Sequence, residues 1–158
     1  MTDRTPSPPS RARTRRLLPP EMAAWRGFLR THASLMRRLD AELLEEHGLP
    51  LSHYDVLLQL AEAGGMLRMS ELADAVLLSR SGLTRMVDQL ERRALVARRR
   101  SARDARGVEA LLTEEGWARL RAAAPTHVNG IRRLFLAPLG PERQAALAEA
   151  WDALDRSG

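Results

Sequence analysis

The sequence predicts a mainly α-helical fold that carries one small β-hairpin, on three observations. Apolar residues recur at three- and four-residue spacings along most of the chain. Near residues 95–112 that spacing gives way to the alternation of a half-buried strand, with Val108, Ala110 and Leu112 on one side. Between the two extended pieces, "RRRSARDAR" (98–106) places five arginines in nine positions, a charge run inside a folded segment rather than in a tail.

At 158 residues the chain suits a single domain. It has no cysteine, which excludes disulfides, thiol catalysis and thiolate metal sites. No apolar stretch is long enough for a membrane span and no secretory block opens the chain, so a soluble, cytoplasmic protein is expected, with no membrane partner. Every one of the 25 basic residues is arginine. The net charge of +5 is unevenly placed: residues 1–20 carry +4, 21–67 carry −3, 68–106 carry +5 and 107–158 carry −1. An internal segment with this excess is the footprint of a phosphate-binding surface.

Residues 1–20 combine five prolines with Arg, Ser and Thr, and are expected to be a disordered basic tail. From Glu21 to His47, Trp25, Phe28, Leu29, His32, Leu35, Met36, Leu39 and Leu43 mark one amphipathic helix, ended by Gly48 and Pro50. Ser52, with Asp55 three residues on, reads as the cap of a second helix running to about Ala63. After a very short extended piece, Ser70 reads as the cap of a short helix ending near Val76. "LLS" is a tight connector, and Ser79 caps "RSGLTRMVDQLERR", whose Leu83, Met86, Val87 and Leu90 form the buried stripe. Two short helices joined by about three residues, the second with a polar and basic outer face, describe a helix-turn-helix. The hairpin that follows, with "SARDARG" as its turn, then reads as a wing whose arginines meet DNA phosphates. Thr113 caps a further helix, Pro125 should kink or interrupt it, and Gly140-Pro141 open the last one, with Leu147, Trp151 and Leu154 as its apolar stripe.

This order of elements resembles the MarR family of winged-helix transcriptional regulators over roughly residues 21–156. The phrase "SRSGLTRMVDQLE", followed by Asp104-Ala105-Arg106 and then Leu112-Thr113, carries most of the resemblance. The resemblance implies an obligate homodimer, pseudo-palindromic DNA and often a small-molecule ligand that weakens DNA binding. It also implies the division of residues 21–158 into dimerisation helices (21–47 and 114–156) and a winged helix-turn-helix lobe (52–112). Ala94 stands where the family usually has Gly; if a positive φ is needed there, Ala costs about 1 kcal/mol.

Ser79, Arg80, Ser81, Thr84 and Arg85 occupy the face that would enter the major groove, where Arg reads guanine and Ser or Thr contacts bases or phosphates. The alternative for this face is an ordinary solvated helix surface. In the wing, Arg106 suits a minor groove and Asp104 either orients an arginine or simply forms the turn. Arg98, Arg99, Arg100 and Arg103 suit phosphates. Phe28, Leu35, Leu134, Phe135, Leu147 and Trp151 are expected to pair two chains. Trp25, His32, Met36, His53 and Trp117 are placed by helical phase to line a pocket for a small aromatic or amphipathic effector, or else simply to pack a core. The four histidines, His32, His47, His53 and His127, have no metal-ligand spacing, and neither a metal nor a cofactor is expected. With no nucleophile elbow, Gly-rich phosphate loop or paired carboxylates, the chain does not read as an enzyme. The sequence leaves a ligand-responsive regulator and an architectural DNA-binding protein without an effector, and behind them a helical protein-interaction module using the winged helix as a scaffold, which the charge on the wing disfavours.

Overall fold

The computed structural model describes residues 16–101 and 107–156. The tail up to residue 15, and Arg103, Asp104 and Arg106 of the wing, lie outside the described residues. The chain divides into two compact units, 1–33 and 34–158. Helix α1 (Pro19–His47) starts in the first and ends in the second.

In the first unit, Pro19 and Pro20 fall inside the helix rather than in the tail, as the first turn allows, because its N–H groups have no intrahelical partner. The Leu18 amide donates to Glu21 Oε2 at 2.6 Å and fixes this start. Trp25 stacks on Phe28 with ring centroids 5.9 Å apart, and Phe28 lies 6.0 Å from the His32 ring. Trp25, Phe28 and Leu29 are all exposed.

In the second unit follow α2 (Leu51–Glu62), β1 (Met66–Arg68), α3 (Met69–Ala75), α4 (Arg80–Arg92), β2 (Val96–Arg100), β3 (Val108–Leu112), α5 (Glu114–Ile131), a π-helical turn (Arg132–Leu136) and α6 (Ala137–Asp155). The three strands form one antiparallel sheet in the order β1-β3-β2. The core gathers Leu43 of α1, Val56, Leu57 and Leu60 of α2, Leu72 of α3, Leu83, Val87 and Leu90 of α4, and Leu95, Val96 and Ala110 of the hairpin. The stripe expected on α4 is the one that is buried, so the opposite face is held outward.

Two caps differ from the sequence expectation. α2 begins at Leu51, and its first amide is satisfied by Asp40 Oδ1 of α1 at 2.8 Å, not by Ser52. α3 begins at Met69, where the Glu71 carboxylate accepts from the Arg68 amide at 3.0 Å, so Ser70 sits inside the first turn. A carboxylate accepts a stronger hydrogen bond than a hydroxyl, and wins where it can reach. Ser79 and Thr113 do cap their helices, accepting from the Gly82 amide at 3.1 Å and the Gly116 amide at 2.9 Å.

α5 runs through Pro125 without a break; the helix is buried on both sides of it, at Leu120, Ala123 and Gly130, and packing holds the turn that has lost one donor. The interruption comes later, at Gly140, whose φ of 69° and ψ of 165° separate the start of α6 from the straight run after Pro141. α6 has no buried residue; Trp151 and Leu154 are 41% and 61% exposed. Leu35, Phe135 and Leu147 are half-buried and Leu134 packs on the core.

Candidate DNA interface and effector cavity

The turn between α3 and α4 is tight. Leu78 N–H donates to Ala73 O at 3.0 Å, and Leu77 takes a φ of 54° with its side chain 91% exposed. From this turn α4 presents the outer face of its first two turns to solvent. Ser79, Arg80, Ser81, Thr84 and Arg85 are all exposed, on one end of one helix. Among the described residues Arg80 and Arg85 make no ion pair. Thr84 Oγ1 donates to Arg80 O at 2.9 Å and Ser79 Oγ is occupied as the cap, which leaves both hydroxyls in fixed directions. Gly82 has a local reason: a Cβ there would stand 3.1 Å from the Ser79 hydroxyl that caps its own amide. The same amide-rich N-terminus favours anions.

The wing arginines divide. The Arg98 guanidinium donates to Asp88 Oδ1 and Glu91 Oε2, both at 2.6 Å, and to Thr84 O at 3.0 Å, while its own amide donates to Glu91 Oε1 at 2.9 Å. The side chain expected at a phosphate is therefore a clamp between β2 and α4, because two carboxylates of the neighbouring helix reach it first. Arg99 pairs across the strands with Glu109, in register with it, at 3.0 Å. Glu109 is nearly buried and also accepts from Ser101 Oγ at 2.8 Å. The Ser101 hydroxyl and then Arg99 hold its carboxyl below the ordinary glutamate range. Arg99 remains half exposed and Arg100 is exposed, so both present charge at the wing surface. The role of Asp88 and Glu91 could have been suspected from their spacing of three on the helix just before the arginine run.

The wing is tied to α5 by backbone proximity. Thr113 Oγ1 donates to Ala94 O at 2.6 Å and Thr113 N–H to Leu95 O at 3.2 Å. A Cβ on Gly116 would stand 2.1 Å from Leu95 O, so only glycine fits. Ala94 does adopt a positive φ, 56°.

A second candidate site is a cavity of about 290 Å³ lined by Leu35, Met36 and Leu39 of α1, Leu51 and Asp55 of α2, His127 and Ile131 of α5, and Phe135. Of the five residues expected at a pocket, Met36 lines it. His53 and Trp117 point elsewhere: His53 Nε2 meets Gln89 Oε1 at 2.9 Å, joining α2 to α4, and Trp117 packs over Gly65. Helical phase selected a face of each helix but not which neighbour that face meets. Trp25 and His32 belong to the first unit. The two polar residues that do line the cavity, Asp55 and His127, were missed for this purpose. The His127 ring lies 4.5 Å from that of Tyr54, and its Nδ1 is buried with no hydrogen-bond partner. Burial lowers the His127 pKa against the pull of Asp55, and burial raises that of Asp55 against the pull of His127. No group of three or more His, Asp or Glu residues that could hold a metal occurs among the described residues. No helix among them is long and apolar enough to cross a membrane.

Comparison with known proteins agrees with this geometry. Residues 47–107, from the end of α1 to just before β3, match the family model described as MarR family. AbsC, a MarR family transcriptional regulator from Streptomyces coelicolor, superposes with a TM-score of 0.85 at 36% identity, over 91% of this chain and 97% of its own. Sco3205, a MarR family regulator from the same organism solved in complex with DNA, gives 0.85 at 34% identity, over 93% and 92%. An uncharacterized HTH-type transcriptional regulator of Bacillus cereus is 31% identical over 112 residues, 71% of this chain and 74% of its own. With the helix-turn-helix, the wing and the flanking helices all matched, the chain belongs to the MarR family of transcriptional regulators.

Proposed function

We propose that the chain acts as a homodimeric repressor that binds a pseudo-palindromic DNA operator and is released from it by a small molecule. The observation that carries the DNA reading is the capped N-terminal end of α4, where Arg80 and Arg85 stand exposed and unpaired among the described residues beside Ser79, Ser81 and Thr84. Arg85 reads base edges in the major groove, Arg99 and Arg100, with Arg103, hold the backbone, and Arg106 enters a minor groove. The DNA complex of Sco3205 supports the partner.

Self-association is supported by apolar side chains that each unit leaves in solvent: Phe28 in the first, Trp151 and Leu154 on α6 in the second. Exposed apolar surface of this kind marks interaction sites. Two copies of α4 related by a two-fold axis then meet half-sites about 10 bp apart. The cavity between α1, α2 and α5 of the second unit is the effector site in this reading, and linkage requires effector and operator to weaken each other equally.

The test is selection of duplexes from a random pool by the purified protein, followed by competition of the selected site against random DNA at fixed salt. A regulator shows a preference of about 10³ or more. A preference near unity contradicts the proposal and leaves an architectural DNA-binding protein.

A further inference from the structure

We propose that the cavity selects a small amphipathic amine, a cation on a compact apolar body, over a carboxylate of the same shape. This deepens the effector reading above and rests on it.

Six of the eight lining residues are apolar, and the two ionisable ones are Asp55 and His127. Among the described residues no arginine lines this cavity. Its acidic residue, Asp55, thus has no lining arginine beside it. Burial disfavours the charged form of both, the His127 imidazolium and the Asp55 carboxylate, and a cation drawn to Asp55 offsets the second of these costs. An ammonium group can pair with the Asp55 carboxylate, whereas a carboxylate ligand would face Asp55 with no lining arginine to offset it. At about 290 Å³ the space fits a ligand at the small end of the usual range of about 300–1,000 Å³.

Three isosteric probes test this by calorimetry: 1-naphthylmethylamine, 1-naphthylmethanol and 1-naphthoate. The amine is expected to bind at least about tenfold more tightly than the naphthoate, with the alcohol between them. Asp55→Asn should bring the three within about threefold of one another while melting unchanged. Equal or tighter binding of the naphthoate, a gap that survives Asp55→Asn, or binding by none of the three overturns the proposal. Met36→Trp and Ile131→Trp, two independent ways to fill the space, separate this failure from that of the effector reading. Binding lost in both filling variants but indifferent to charge sinks the amine preference alone. Binding untouched by either, or without effect on operator affinity, sinks the effector reading itself.

Discussion

The N-terminal face of α4 and the base of the wing hold similar arginine-rich sequence yet meet opposite fates. On α4, Arg80 and Arg85 face solvent without ion pairs among the described residues. On β2, Arg98 is committed to Asp88, Glu91 and a backbone carbonyl, while Arg99 pairs with Glu109 yet stays half exposed. The difference teaches that charge counted along a sequence is not charge available to a partner. A guanidinium with three good acceptors inside its own fold positions an element; one with none is free to bind. The wing base is therefore a frame, and α4 the surface that it holds in place.

The largest expected effect breaks the frame without touching a charge. Gly116→Ala forces a Cβ against the Leu95 carbonyl and should cost about 3 kcal/mol or more, since the obstacle is backbone that cannot swing aside. A thermal melt unchanged from the parent would show that the junction of wing and α5 is looser than described.

Next comes Arg98→Ala, which strands two carboxylates that share one cation. The three side chains are each partly exposed, so a loss of about 1–2 kcal/mol is expected rather than the cost of a fully buried pair. Adding Asp88→Asn and Glu91→Gln should recover part of it. If Arg98→Ala melts like the parent, the clamp is not one.

Smaller gains sharpen the same contrast at two strained positions. Leu77 and Ala94 hold φ values of 54° and 56°, one at the entrance to α4 and the other just after its end. Glycine at either should stabilise by about 0.5–1 kcal/mol, measured by denaturant titration. Leu77 has almost no packing to lose, so a loss of stability there would contradict the strain argument.

The smallest effect is on pH dependence. Because the folded Glu109 carboxyl sits below its ordinary value, its contribution is present above the unfolded pKa and fades as pH falls through the folded one. Ser101→Ala removes the leading cause, so its stability should fall less steeply with acid below the ordinary glutamate range. A slope identical to the parent's would place the acid response in other groups.

Much of the fold was legible because it depends on neighbours in sequence. The Ser79 and Thr113 caps reach three residues along the chain, and the stripe of Leu83, Val87 and Leu90 needs only the helical period. What escaped was set by residues on a different element. Asp40 displaces Ser52 as the cap of α2 from another helix, and Asp88 and Glu91 claim Arg98 across a turn. The polar pair of the cavity requires α2 and α5 to meet, which no periodicity states. Pro125 failed to interrupt α5 for the same reason: packing on both sides outweighed one lost hydrogen bond.

The central claim, that α4 reads DNA while Arg98 frames it, is tested most directly by pairing operator binding with thermal melting for Arg85→Ala and Arg98→Ala. Arg85→Ala should melt within about 0.5 kcal/mol of the parent and lose about 10- to 100-fold of its preference for the selected operator over random duplex. Arg98→Ala should instead lose stability, and at a temperature where it remains folded should keep most of that preference. The reverse pattern, with Arg85→Ala retaining full preference and Arg98→Ala losing it without a change in melting, would contradict the account.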